Sequence, residues 1–152
     1  FQDSVFRLKS DSVLIASDIV TAGRTSRNEI FDYDIYSSKT RIYVDDELKL
    51  YDSCRITPET MDPARRGLLE GKLSSGTVYA YAPDIPEGIC DRLNAAAHDS
   101  DIEAAAGLVD SRIITVRFIG TDMIAIKDFV YDIWDILRCE LIGKGAVRVR
   151  KY

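Results

Sequence analysis

From Val5 to about Thr57 apolar residues recur at every second position, and this rhythm limits the folds open to the chain more than any other feature. A strand with that pattern buries one face and wets the other, so the region has to lie as sheet against a second layer. Val13 to Val20 is apolar on both faces except at Ser17 and Asp18. Residues 29–36 alternate, with Phe31, Tyr33 and Ile35 on one face and Ile30, Asp32, Asp34 and Tyr36 on the other. RIYVDDELKLYDSCRI reads as a hairpin with Asp45, Asp46 and Glu47 at its tip. Its second strand places Leu48, Leu50, Asp52, Cys54 and Ile56 on one face.

The rhythm then changes. Residues 58–76 form a linker rich in Pro and Gly, with one short helical turn expected from Pro63. TVYAYA is a short strand, and PEGICDRLNAAAHD repeats Ile89, Leu93, Ala96 and Ala97 at helical spacing, with Pro86 suited to an early helical position. SDIEAAAGLVD reads as a further helical turn ending near Gly107, and RIITVRFIG as a strand. Asp122 to Leu141 carries one wide apolar stripe of Ile126, Phe129, Val130, Ile133, Trp134, Leu137 and Leu141, the signature of an amphipathic helix, which Gly143 and Gly145 end. The expected class is α+β, mostly β, a β-rich body with two main helices toward the C-terminal half gathered on one side. The chain is read as a single domain over 1–152: β-rich from 1 to 57, linker from 58 to 76, and strand-helix-strand-helix from 77 to 152.

At 152 residues the chain is long enough to bury a real core. A net charge of −5 argues against a nucleic-acid partner, because phosphate binding needs a basic face that releases counterions. No run approaches the roughly 20 apolar residues that span a bilayer. Cys54, Cys90 and Cys139 are odd in number and widely spaced, which fits a reducing, cytoplasmic setting and buried small apolar roles better than a disulfide framework. The chain opens on Phe1 without an initiator Met, so it is expected to be part of a longer protein.

Arg24, Arg27 and Glu29 stand in the turn between two apolar runs, where backbone geometry asks only for Gly, Asn and Ser. By parity Glu29 shares the Phe31 face, and a carboxylate at the rim of an apolar face is costly unless Arg24 or Arg27 pairs with it. The one histidine, His98, ends an alanine-rich helix beside Asp99 and Asp101, with Glu103 close by. That position suits a solvated helix end, where imidazolium favours the dipole; a small cytoplasmic enzyme using His98 with these carboxylates or with Cys90 stays open. No HExxH, GxSxG, GxxxxGK[ST] or GxGxxG pattern is present.

Several segments in one order resemble the second half of the UreD/UreH urease accessory proteins. They are SDIVTAGRTSRNEIFDYDIYSSKTRIYVDDELKLYDSCRITPE, then GLLEG and GTVYAYAP, then VRFIG, then DIWDILRCELIGKGAVRVRKY. The resemblance runs from about Asp11 to Tyr152. Asn28 stands where the family often has Gly in its GRxxxGE-type turn. The resemblance implies a β-helical or β-rich body with two helices and no enzymatic activity. It implies a scaffold that binds apo-urease, a helical accessory partner of the UreF type and, through it, a GTPase of the UreG type, so that nickel reaches the urease active site through an internal passage. One histidine and scattered cysteines make a poor tight nickel site, so the metal would be handled transiently and no static site or tightly bound cofactor is expected. On that reading Glu29 and, second, Asp18 are the candidate groups of the passage. Arg138 with Trp134 beside it, and Arg148, Arg150 and Tyr152 of the C-terminal close, are the candidates for partner docking, since Arg and aromatic residues concentrate at interface hot spots. A metal-free β-rich interaction module is the remaining alternative.

Overall fold

The computed structural model describes residues 1–24, 27, 29–98 and 102–147, with the side chain of His98 outside that set. The strands are β1 (Gln2–Leu8), β2 (Leu14–Thr21), β3 (Tyr36–Val44), β4 (Glu47–Ile56), β5 (Ser74–Tyr81), β6 (Glu103–Asp110) and β7 (Ile113–Gly120). The helices are α1 (Ile89–His98) and α2 (Met123–Ile142). They build a three-stranded sheet in the order β1-β3-β4 and a four-stranded sheet in the order β2-β5-β7-β6. The α+β, mostly β architecture is thus realised as two open sheets with two helices.

The layering follows from side-chain parity. Alternate residues of β5 and β7 point opposite ways: Tyr79, Tyr81 and Ile113 meet Ile42, Val44 and Leu50 of the smaller sheet, while Val78, Ala80, Ile114, Val116 and Phe118 meet the helices. Central strands covered on both faces read as near-continuous apolar runs, which is why VYAYA and, apart from Thr115, IITV are apolar. The stripe on α2 behaves as its spacing requires, burying Ile126, Phe129, Ile133 and Leu137. Asp122 caps α2 by accepting the Ile124 N–H at 2.8 Å, and Gly143 ends it in the left-handed region (φ 65°), where glycine carries no Cβ penalty.

The β3–β4 hairpin turns on Asp45 and Asp46, both at positive φ (47° and 65°), a pair that Asp tolerates better than most residues. A bulge at Ile42/Tyr43 interrupts its register, and Leu48 stays half exposed while Leu50 and Ile56 are buried. Strand β1 runs parallel to β3, from Gln2 opposite Ser38 to Leu8 opposite Val44.

Three segments depart from expectation. Residues 29–35 are bends, not strand, and β3 begins only at Tyr36. Ala22 O accepts the Phe31 N–H at 2.7 Å and Phe31 sits at φ 53°, so the chain folds back to carry β2 of one sheet over to β3 of the other, and the parity argument for Glu29 lapses. Glu103–Asp110 is an edge strand paired with β7, not a helical turn; alanine's helix propensity of a few tenths of a kcal/mol yields to a full ladder of sheet hydrogen bonds. The linker ends at Leu73, because Ser74–Gly76 already pair with Val20, Thr21 and Ile19 in β2. From Asp62 to Leu69 the chain makes successive turns, with Leu69 buried.

Candidate functional site

The apolar packing between the two sheets fills only one end of their interface. At the other end a cluster of polar side chains faces inward among apolar residues such as Val20, Ile56, Leu69 and Phe118, and the sheets flank an open cleft of about 590 Å³. The strands dictate this by parity: Ser38 and Thr40 of β3, Asp52 and Cys54 of β4, Asp18 of β2, Thr77 and Tyr79 of β5 and Arg117 of β7 all face inward there. Met61, Pro63, Gly67 and Leu69 wall one side, with Glu103 and Ala105 of β6 at another.

Two carboxylates anchor the polar end. Asp52, its side chain 16% exposed, accepts the Tyr79 hydroxyl proton on Oδ2 at 2.8 Å and the Arg117 Nη2–H on Oδ1 at 3.0 Å. Asp18 accepts Ser38 Oγ–H on Oδ2 at 2.8 Å and Gln2 Nε2–H on Oδ1 at 3.2 Å. Burial, reinforced by the Asp52 charge, pushes the Tyr79 phenol up to about 12. Burial also raises the Cys54 thiol, with the negative charges of Asp52 and Asp18 adding to it and Arg117 pulling back. The phenol of Tyr36 is raised in the same way, first by burial. Asp52 and Asp18 thus disfavour further negative charge at the groups beside them. Gly76 lets the strands close at this point: a Cβ there would meet the Phe118 ring and lie 2.8 Å from Asp18 O.

The candidate residues from the sequence are distributed as follows. Asp18 lines the cleft. Glu29 is held by Arg24 through two bonds, Nε to Oε2 at 2.6 Å and Nη2 to Oε1 at 3.1 Å, with the Arg24 side chain 65% exposed. Neither Glu29 nor Arg24 is among the residues lining the cleft, and Arg27, exposed, contributes its backbone N–H to Arg24 O. Arg138 stacks over Trp134 with its Cζ 5.1 Å from the ring centroid, on the outer face of α2. Arg148, Arg150 and Tyr152 lie outside the described residues, as do Asp99, Asp101 and the His98 imidazole. Glu103 pairs with Lys72 at 3.0 Å. Among the described residues no three His, Cys, Asp or Glu side chains are gathered as a metal site. No helix formed by the described residues is long and apolar enough to cross a membrane.

Sequence reasoning missed Asp52, Tyr79 and Arg117. The signal for Asp52 was present: it shares a strand face with Leu50 and Ile56, the same anomaly that drew attention to Glu29. Arg117 shows it too, as the lone charge within the mostly apolar β7.

The chain is thus a two-sheet α+β protein with its helices on one outer face and a carboxylate-bearing cleft between its sheets. The family model for the UreD urease accessory protein matches residues 1–151, and the chain belongs to that family. It is 31% identical to the urease accessory protein UreD of Haloarcula marismortui, over 95% of this chain and 49% of the relative. It is 30% identical to UreD of Klebsiella pneumoniae, over 97% of this chain and 51% of the relative, and 29% identical to UreD of Sporosarcina pasteurii, over 87% and 52%. The chain spans about half the length of these curated relatives.

Proposed function

We propose that this chain is part of a urease maturation scaffold, without catalytic activity of its own, that supports delivery of nickel to apo-urease in the cytoplasm. The observation that carries the reading is the inter-sheet cleft with its two carboxylates. Both are already hydrogen-bonded to protein donors, so a divalent cation would meet oxygen ligands that bind it weakly and release it, which suits passage more than storage. We assign the passage role to Asp18 and Asp52, and a turn-fixing role to the Arg24–Glu29 pair. Free cysteines support a reducing compartment. Urease apoprotein, a helical accessory protein of the UreF type and a GTPase of the UreG type are the proposed partners, met through the α2 face at Arg138 and the C-terminal residues Arg148, Arg150 and Tyr152.

The test is urease activation in a deletion strain complemented with the full-length protein. Asp52→Asn and Asp18→Asn should lower activation at least several-fold while apo-urease and the accessory proteins still co-purify, and Glu29→Ala should lower it less. Full activation in the Asp18→Asn/Asp52→Asn double variant refutes the passage. Failure of the unmodified protein to co-purify with apo-urease refutes the scaffold reading.

A further inference from the structure

The two edges of the four-stranded sheet are finished differently. At β6, Asn94 of α1 closes the edge by mimicking a strand: its Oδ1 accepts the Ala106 N–H at 2.8 Å and its Nδ2 donates to Ala106 O at 3.2 Å. At the opposite edge β2 pairs, among the described residues, with β5 alone. Exposed edges are normally guarded by lysine, proline or a bulge. Strand β2 has none of these: its sequence LIASDIVT runs in unbroken register against β5, and its one guard is Asp18, an inward-pointing charge that faces the cleft.

Above that edge lies an apolar groove of about 710 Å³, walled by Ile15 and Ile19 of β2 and by Met123, Val130, Tyr131 and Trp134 of α2. Among the described residues, the only charged one lining it is Lys127. Along α2, positions 127, 131, 134 and 138 fall on one stripe. Lys127 Nζ lies 6.0 Å from the Tyr131 centroid, Tyr131 and Trp134 are 5.8 Å apart, and Arg138 Cζ lies 5.1 Å from the Trp134 centroid. Gly145 O accepts the Arg138 Nε–H at 3.1 Å and fixes the guanidinium over the indole. The stripe is therefore a pair of aromatics bracketed by two cations, in a chain whose net charge is −5.

We propose that this groove takes an extended, acidic segment of a protein partner, added to β2 as a fifth strand. The open backbone edge supplies main-chain pairing, the groove takes alternate aliphatic side chains, and Lys127 and Arg138 take carboxylates at either end. Charge complementarity selects the acidic segment over other apolar ones. The proposal builds on the reading of α2 as a docking face and names the chemistry of what docks.

The probe is a fluorescein-labelled octapeptide of alternating Glu and Leu, compared with its Lys–Leu counterpart, on the full-length protein. Anisotropy should show binding of the Glu–Leu peptide only, and hydrogen exchange should show new protection across Leu14–Thr21. Lys127→Glu combined with Arg138→Glu should weaken binding at least ten-fold, whereas Lys39→Glu, exposed on the other sheet, should not. Equal binding of the Lys–Leu peptide overturns the proposal. So does protection of the Leu14–Thr21 amides in the free protein, which would give the edge to another segment of the same polypeptide, and so does protection that rises with protein concentration, which would give it to a second copy. Urease activation is not read here, so these outcomes stand apart from the success or failure of the nickel-delivery reading.

Discussion

Tyr79→Phe removes one oxygen from a buried polar contact of the cleft, and its consequences can be worked out in advance. Tyr79 is 4% exposed and donates to a carboxylate at 2.8 Å. A hydrogen bond to a charged group contributes about 1.5–3 kcal/mol. The loss is softened because Asp52 keeps its bond to Arg117, so we expect about 1–2 kcal/mol, a drop of roughly 2–8 °C in Tm for a chain of this size. The Asp52→Asn/Tyr79→Phe double-mutant cycle, read by urea unfolding, should return a coupling of about 1 kcal/mol. The pH dependence gives an independent check. With the phenol moved from 10 to about 12 on folding, the native state holds a proton that the unfolded chain releases. This stabilisation is complete below pH 10 and is lost as pH rises from 10 through about 12, by at most on the order of 2–3 kcal/mol. Tyr79→Phe should flatten that decline relative to the unmodified protein. A coupling below about 0.3 kcal/mol together with an unchanged alkaline decline would refute the account of Tyr79 as the anchor of Asp52.

Two further outcomes follow from the same cleft. Gly76→Ala forces a methyl against the Phe118 ring and Asp18 O and should cost about 1–3 kcal/mol in urea unfolding, whereas a near-neutral result would mean that β2 and β5 can part there without strain. The Cys54 thiol, raised by burial and by Asp52 and Asp18, should react with iodoacetamide at pH 8 several-fold more slowly than in the urea-unfolded chain, and faster again in Asp52→Asn; equal rates in the folded and unfolded chains would contradict the electrostatics of the cleft.

Local rules were enough for part of this molecule. The α2 stripe, its Asp122 and Gly143 caps, the Asp45–Asp46 hairpin and the β7 strand are each written within a few neighbouring residues, and each forms as its spacing requires. The alternation of the first third determined that it would be sheet with one face to cover, except at residues 29–35, where the same alternation runs through bends. Family membership was equally legible, through an ordered set of short segments. Where the local signal is weak, the partner decides: EAAAGLVD becomes strand because β7 offers a ladder on one side and Asn94 closes the other.

The site divides along the same line. The sequence by itself marked the charged turn, and Arg24 and Glu29 do pair there, five residues apart, because proximity along the chain brings them together. It did not mark the cluster of Asp52, Tyr79 and Arg117, whose members lie 27 and 65 residues from the carboxylate they share. Only the packing of one sheet on the other decides that three side chains from different strands meet, and that the same interface is closed and apolar at one end and carries a polar cluster in an open cleft at the other. Periodicity determines which face each residue takes; the register between sheets, set by the whole core, determines whom it meets.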